Sequence, residues 1–199
     1  MTVTRTALFD FAPAGDTPVH AVLQGAQAAV TFARRRDRAH FVEQLLLGLH
    51  TRFAAGSWAC RRHVDAARLG LVSHAPHLFG RMSVADNLAL ADDGRPDFAA
   101  RSRRCVEETG LLAGVDPRQP AATLGWAQQV ELNFVQACLR EPECLVFDHV
   151  FDHDDSAALL RLPALFRTRF PFRAVCHIEQ AGRLPASLGI GMHETIDIP

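Results

Sequence analysis

The residues best suited to chemistry in this sequence form a short run of aspartate and histidine near residue 150. Residues 148–155 hold six possible metal ligands in eight positions, four aspartates and two histidines. Imidazole nitrogen and carboxylate oxygen together suit zinc or manganese, and the ligands would be His149, Asp152 and His153. A second interpretation is open, because the last two aspartates of the run would also serve as the N-cap or first-turn acids of a following helix.

A second charged run lies at residues 33–41, where four of nine residues are arginine. The chain contains no lysine, so all 21 of its basic residues are arginine. Either Arg34, Arg35, Arg36 and Arg38 hold an anion by their charge, or they form a solvated basic turn. The run contains no glycine, so its backbone cannot easily adopt the positive-φ turns that wrap around a phosphate.

The bulk composition predicts an ordinary water-soluble domain. The 199 residues fit one domain, which we place at residues 1–199. Hydrophobic residues make up 48% and charged residues 22%, and the net charge of −1 argues against a nucleic-acid partner. The sequence shows neither a secretion signal nor an apolar run of the ~20 residues that cross a bilayer. The five scattered cysteines are expected to be buried, reduced thiols of a cytosolic protein.

The elements that must position these residues follow from hydrophobic periodicity. Alternating or apolar runs predict strands, and apolar residues at helical spacing predict helices. Residues 7–9, 19–23 and 28–32 predict a small antiparallel sheet. Residues 69–73, 144–148 and 172–176 predict buried strands, the last ending at His177. Helices are expected at residues 38–49, 83–114 with a break at 92–96, 127–140, and 154–166 with a disturbance at Pro163. This alternation predicts an α/β fold with a parallel sheet covered on both faces.

Three local patterns occur in a fixed order along the chain. They are LVSHAPHLFGRMSVADNL at 71–88, LGWAQQ at 124–129 continued by QACLREP at 136–142, and CLVFDHVF at 144–151. Together with His177 they resemble the Q-loop, signature helix, Walker B strand and switch histidine of the ATP-binding subunit of an ABC transporter. The resemblance covers residues 20–180, and the wording at 147–151 looks most like the lipid-trafficking, Mla-type branch. It implies a P-loop NTPase-like cassette: a parallel sheet core, a small N-terminal antiparallel part, trimmed here because residues 56–60 lead almost directly to the 69–73 strand, and a helical insert at about residues 78–140.

The resemblance also implies that the catalytic positions are altered. Ala39 stands where the family has the Walker A lysine, and His40 stands where it has the hydroxyl that binds magnesium. His74 replaces the Q-loop glutamine. Asp148 keeps the Walker B position, but His149 replaces the glutamate that polarises water.

The signature positions correspond to Leu124, Gly125, Trp126, Ala127 and Gln128. Trp126 and Ala127 replace two glycines that let backbone amides approach the nucleotide bound by the partner subunit. An indole at this point would obstruct that approach. The other interpretation of Trp126 is a core or interface aromatic.

Residues 78–88 are the best-preserved part of the resemblance, and in the family this region lies near the membrane subunit. Leu78, Phe79, Met82 and Val84 are therefore expected to bind a partner. The predicted function is a catalytically degenerate cassette subunit, with no cofactor, that acts as a structural or regulatory partner of a membrane transporter. It would lie in the cytoplasm at the inner membrane and bind a permease or another ABC ATPase subunit, as a homodimer or a heterodimer. The alternatives are a divergent ATPase that uses ATP and Mg²⁺ with His149 as base, and a metal-binding protein.

Overall fold

The computed structural model describes residues 6–13, 20–47, 50–53, 58–152, 154–191 and 195–199. Its strands are β1 Ala7–Pro13, β2 His20–Leu23, β3 Gln27–Phe32, β4 His50–Phe53, β5 Trp58–Arg62, β6 Leu69–Ser73, β7 Cys144–Asp148, β8 Ala174–Gln180 and β9 Thr195–Ile198. Its α-helices are α1 Arg35–Leu47, α2 Val84–Ala89, α3 Phe98–Thr109, α4 Trp126–Leu139 and α5 Leu162–Arg169.

A five-stranded parallel sheet forms the centre of the structure, in the order β6-β7-β8-β3-β9. A second, four-stranded antiparallel sheet has the order β2-β1-β5-β4. The predicted α/β class, with a parallel core and a small N-terminal antiparallel part, is confirmed.

Two details of the predicted sheets are wrong. Residues 28–32 were assigned to the antiparallel sheet, but β3 lies between β8 and β9 in the parallel sheet. Its residues 28–32 are all buried, as a strand covered on both faces must be. Residues 56–60 were expected to lead almost directly to the 69–73 strand, but residues 58–60 belong to β5, which pairs with both β1 and β4.

The helices follow the predicted periodicity but differ at their ends. α1 begins at Arg35, three residues before the predicted start; the predicted end at residues 48–49 lies outside the described residues. The expected break between α2 and α3 is present, and α2 begins with a capping box formed by Ser83 and Asp86. The predicted helix at 154–166 is divided into a 3₁₀ segment, Asp154–Leu159, and α5, where Pro163 lies in the first turn.

The parallel sheet is covered on both faces, and each face belongs to a separate apolar cluster. Leu145 and Phe147 of β7 pack with the helices that lie between β6 and β7. Val146, the alternate residue, faces α1 and the antiparallel sheet, where it packs with Phe11 and Phe41. Since side chains alternate along a strand, the two faces of β7 direct successive residues toward different partners.

The five cysteines are buried free thiols, as predicted. Burial raises the pKa of the Cys176 thiol to about 12, so the thiol stays protonated and unreactive at neutral pH. Within the described part of the chain, no helix combines the length and apolarity needed to span a bilayer.

Candidate functional site

The carboxyl ends of β6, β7 and β8 lie at one edge of the parallel sheet, next to the start of α1. In open α/β folds this edge is where ligands bind. Five polar residues meet there, and we call them the edge cluster: Arg38 of α1, His74 after β6, Asp148 at the end of β7, His149 after it, and Glu179 of β8.

The centre of the edge cluster is an ion pair between Arg38 and Asp148. Arg38 Nη1 donates to Asp148 Oδ1. Both side chains are buried, with 5% and 9% of their surfaces exposed. Of the four arginines considered as anion ligands, Arg38 is therefore the one that turns inward, and its partner is a carboxylate of the same chain.

His74 lies on the other side of Asp148. Its Nδ1 is 4.0 Å from Asp148 Oδ2, and its backbone N–H donates to the Asp148 carbonyl at 3.0 Å. The His74 ring meets the His149 ring edge-on, with 5.3 Å between centroids. The structure thus brings together the predicted Q-loop and Walker B positions, as the parallel order of β6 and β7 requires.

His149 is held in an unusual backbone conformation by its neighbours. Its φ of 55° lies in the left-handed region, which is uncommon for a residue with a side chain. His149 Nδ1 lies 2.8 Å from Glu179 Oε2, and Nε2 lies 3.5 Å from Asp152 Oδ2. Burial and then the nearby Arg38 charge lower the pKa of His149, so the imidazole is neutral at neutral pH.

Glu179 is a fully buried acid that sequence reasoning missed. Burial raises its pKa to about 8, with a further rise from Asp148, against the lowering effects of the Phe151 backbone N–H and Arg38. The carboxyl is therefore mostly protonated at neutral pH and can donate to His149 Nδ1. The available signal was an acidic residue two positions after His177 in a mainly apolar strand.

His177, the predicted switch histidine, does not join the edge cluster. It lies in the middle of β8 and not at the end of the strand, and it is fully buried. Its ring stacks on Phe147 with 5.4 Å between centroids, and its Nε2 lies 3.3 Å from Gln27 Nε2. Burial lowers its pKa to about 3, so His177 is a neutral core residue.

The segment at the predicted Walker A position is helical and not a loop. β3 ends at Phe32 and α1 begins at Arg35, so only residues 33 and 34 connect them. The side chains that point to solvent there are those of Arg34, Arg35, Arg36, Ala39 and His40. This exposure agrees with the solvated interpretation of Arg34, Arg35 and Arg36. The same interpretation is wrong for Arg38, which is buried.

Trp126 begins α4 and turns its indole inward. The indole Nε1 donates to the His74 carbonyl oxygen at 2.7 Å, and the ring packs on the core cluster around the helices. Of the neighbouring signature positions, Leu124 is buried, Ala127 is half-buried, and Gln128 Oε1 accepts the Gly125 backbone N–H at 3.2 Å. The placement favours the interpretation of Trp126 as a core aromatic.

The metal site considered at residues 148–155 is not assembled by the residues that can be placed. His149 and Asp152 are neighbours, but Arg183 Nη1 also lies 3.2 Å from Asp152 Oδ1. His153 lies outside the described residues. Among the described residues, no group of three histidine, cysteine or acidic side chains is arranged to hold a metal ion.

The expected partner-binding residues differ in their exposure. Phe79 is 61% exposed, Leu78 and Met82 are half-buried, and Val84 is 3% exposed. Val84 is therefore part of the core beneath α2, and its assignment as a contact residue is wrong. Phe79 lines a groove of about 500 Å³ whose other walls include Leu71, His77, Leu90, Asn133, Gln136 and Arg140.

Asn87, a fully buried residue of α2, fixes the segment that carries Phe79. Its Oδ1 accepts the Phe79 backbone N–H at 2.9 Å, and its Nδ2 donates to the Phe79 and Ser83 carbonyls at 3.0 Å each. Gln136 Nε2 donates to the Asn87 carbonyl at 2.7 Å. This hub joins the exposed segment to α2 and α4.

Comparisons with known proteins agree with this architecture. No family model matches the chain. The chain is 32% identical over 100 residues to the aliphatic sulfonates import ATP-binding protein SsuB 2 of Burkholderia cenocepacia, and 37% identical over 84 residues to SsuB 3 of Nocardia farcinica. These matches span 50% and 42% of this chain but only 36% and 33% of the relatives, about a third of their length.

Two solved structures show the same fold. CbiO1 of Clostridium perfringens, part of the ABC transporter complex CbiONQ, superposes with a TM-score of 0.65 at 12% identity, over 91% of this chain and 82% of its own. A bacterial Atm1-family ABC exporter with ATP bound superposes with a TM-score of 0.60 at 15% identity, over 89% of this chain and 35% of its own. At these identities the likeness establishes the fold alone.

Proposed function

Because this chain has the fold of an ABC transporter ATP-binding cassette and half of it resembles such subunits in sequence, we propose that it is a catalytically degenerate cassette subunit. In this proposal it binds a membrane transporter as a structural or regulatory partner and neither holds nor hydrolyses ATP. The sequence match covers about a third of the relatives' length, so the proposal rests on the geometry of this chain.

The observation that carries the proposal is the connection between β3 and α1. A triphosphate is cradled by the backbone amides of a glycine-rich loop and by a lysine ammonium. Here two residues join strand to helix, and α1 already runs through residues 35–41. Ala39 takes the lysine position and has no charge to offer. A stretch that is helical from Arg35 onward has no loop amides with which to surround a phosphate chain.

The remaining catalytic positions also do not fit ATP and Mg²⁺. Asp148 is the carboxylate that would approach the metal ion, and its Oδ1 accepts from Arg38. His149 is neutral and could serve as a base, but its Nδ1 is bonded to Glu179 and its Nε2 faces Asp152. The groups of the edge cluster that would meet a metal ion or a water molecule thus already face other members or neighbours of the cluster.

The groove around Phe79 supports the partner-binding part of the proposal. A large exposed aromatic beside a groove with both apolar and polar walls is typical of surfaces that bind another protein. Phe79 and Leu90 are 61% and 44% exposed, while Leu71 and Ala137 form the inner wall. We propose that a permease subunit contacts this groove from the inner membrane, with the chain on the cytoplasmic side.

The finer assignments belong to the same proposal. We propose that residues 1–199 form one cassette with the helical insert at about residues 78–140, and that the chain pairs with itself or with another ABC ATPase subunit. The Mla-type, lipid-trafficking assignment stays a prediction. The named relatives are ATP-binding proteins of aliphatic sulfonate import, and the sequence at residues 147–151 is the observation that favours lipid.

Two measurements test the proposal. Calorimetric titration of the purified chain with ATP and Mg²⁺ is expected to show no binding; stoichiometric, magnesium-dependent binding at micromolar affinity would contradict it. Copurification from native membranes is expected to recover a permease with the wild type and to lose it with Phe79→Ser. The matched control is Phe172→Ser, which changes a 79% exposed phenylalanine that does not line the groove.

One observation favours a divergent ATPase as the second candidate. His149 is neutral and lies beside Asp148 and His74 at the carboxyl edge of the sheet, as a general base would. Steady-state ATP turnover that is abolished by His149→Ala would establish this alternative. Absence of turnover, alone and with the copurified partner, would exclude it.

A further inference from the structure

We infer that the Arg38 guanidinium is a permanent internal counter-ion of Asp148 that takes the place of a divalent cation, so that the edge cluster binds no such ion. The inference deepens the proposed function and rests on its premise that the edge cluster does not bind ATP with its metal ion. It concerns the cation alone and can be tested without nucleotide.

The geometry places a fixed positive charge against Asp148, where a metal ion would have to bind. Oδ1 accepts from Arg38 Nη1, and Oδ2 faces His74 Nδ1 at 4.0 Å. A divalent cation needs carboxylate oxygens free of a fixed positive charge. An ion bound at Oδ1 would lie within a few ångströms of the guanidinium, in a buried place where water screens their repulsion poorly.

The pair is permanent because neither partner can leave or be neutralised at low cost. Arg38 is 5% exposed on its side chain, and a guanidinium does not lose its proton inside a protein. Separating the pair would leave an uncompensated buried charge on each side.

The other acids near Asp148 are also engaged. Glu179 Oε2 lies 2.8 Å from His149 Nδ1. Asp152 lies between His149 Nε2 at 3.5 Å and Arg183 Nη1 at 3.2 Å. A cation at the edge cluster would therefore compete with His149 and Arg183 for these two carboxyls.

The test is a Mn²⁺ titration followed by electron paramagnetic resonance, in which bound manganese loses the signal of the free ion. Arg38→Gln keeps a hydrogen-bond donor for Asp148 but removes the positive charge, whereas Arg38→Lys keeps the charge as the matched control. We expect no binding at millimolar manganese by the wild type or Arg38→Lys. We expect binding of a single ion by Arg38→Gln, and loss of that binding in Arg38→Gln/Asp148→Asn.

Two results would overturn the inference: manganese binding by the wild type that Asp148→Asn abolishes, or a folded Arg38→Gln variant that binds no manganese. If Arg38→Gln does not fold, the melting temperature of the wild type, measured with and without manganese, tests the inference instead. A midpoint unchanged by manganese supports the inference, and a rise that disappears in Asp148→Asn refutes it. ATP binding by the wild type would contradict the proposed function. The manganese titration contains no nucleotide, so its result would still test the inference about Arg38 and Asp148 separately.

Discussion

Replacing Glu179 with glutamine should remove the pH dependence of stability above neutrality. Glu179 has no exposed surface, and its pKa is raised from 4.5 to about 8, first by burial. The native carboxyl therefore keeps its proton while the unfolded chain releases it. The contribution of Glu179 to the free energy of unfolding is therefore fully present below pH 4.5. It falls as the pH rises from 4.5 and is lost above about pH 8.

The magnitude follows from the number of protons bound in the two states. One extra proton on the native state changes the free energy of unfolding by about 1.4 kcal/mol for each pH unit. Between pH 4.5 and 6.5 the buried His177, with its pKa lowered to about 3, contributes the opposite slope, because the unfolded histidine is protonated there. From pH 6.5 to about 8 Glu179 acts without this compensation, which predicts a loss of about 2 kcal/mol.

The other shifted groups act outside this interval. His149, whose pKa is lowered, affects stability only below pH 6.5. The buried thiols, whose pKa values are raised from 9.0, add only a small loss by pH 8, because about a tenth of each unfolded thiol is ionised there. Most of the fall between pH 6.5 and 8 is therefore due to Glu179.

The assay is urea unfolding at several pH values between 6.5 and 8 for the wild type and Glu179→Gln. Glutamine keeps the shape and a hydrogen bond to His149 but does not titrate, so the variant should lose the slope. Between pH 6.5 and 8, its free energy of unfolding should rise by about 2 kcal/mol relative to that of the wild type. Glu107→Gln, at an exposed position of α3, is the control and should keep the slope. A wild-type slope that persists in Glu179→Gln would refute the reasoning.

Three further variants test other contacts. Trp126→Phe removes the indole donor to the carbonyl after β6 and should cost about 1 kcal/mol in urea unfolding; no loss would mean that the bond is not formed in solution. Asp148→Asn leaves a buried guanidinium without its counter-ion and should cost about 3–5 kcal/mol; in a double-mutant cycle with Arg38→Gln, additive losses would exclude the pair. Gly70→Ala would place a Cβ 2.8 Å from a side chain of β7 and should lower the thermal midpoint, at a cost of about 1–3 kcal/mol; an unchanged midpoint would contradict this packing.

The sequence was sufficient for the strands that carry the edge cluster. The apolar runs that became β6 and β7 end at Ser73 and Asp148, so the meeting of His74 with Asp148 followed from their parallel order. β3 was assigned to the wrong sheet because a short apolar run fits either sheet, and its partners lie about 150 residues away in β8 and β9. Pairing over that separation leaves no local signal.

The role of Arg38 could not be found from its neighbours. In sequence it is one of four arginines, and a charge run is usually solvated. Only the observed start of α1 at Arg35 fixes which side chain turns toward β7. Glu179 could not be found for a related reason: His177, two residues earlier on the same face of β8, matches the family motif, and Glu179 matches none.

The Asn87 hub has a consequence for how the surface around Phe79 would meet another molecule. The carboxamide fixes the backbone on both sides of Phe79 before any contact is made, so little chain entropy remains to be lost on association. Such a preorganised face favours rapid, rigid-body encounter over coupled folding. Its affinity would then be set by the contacts themselves.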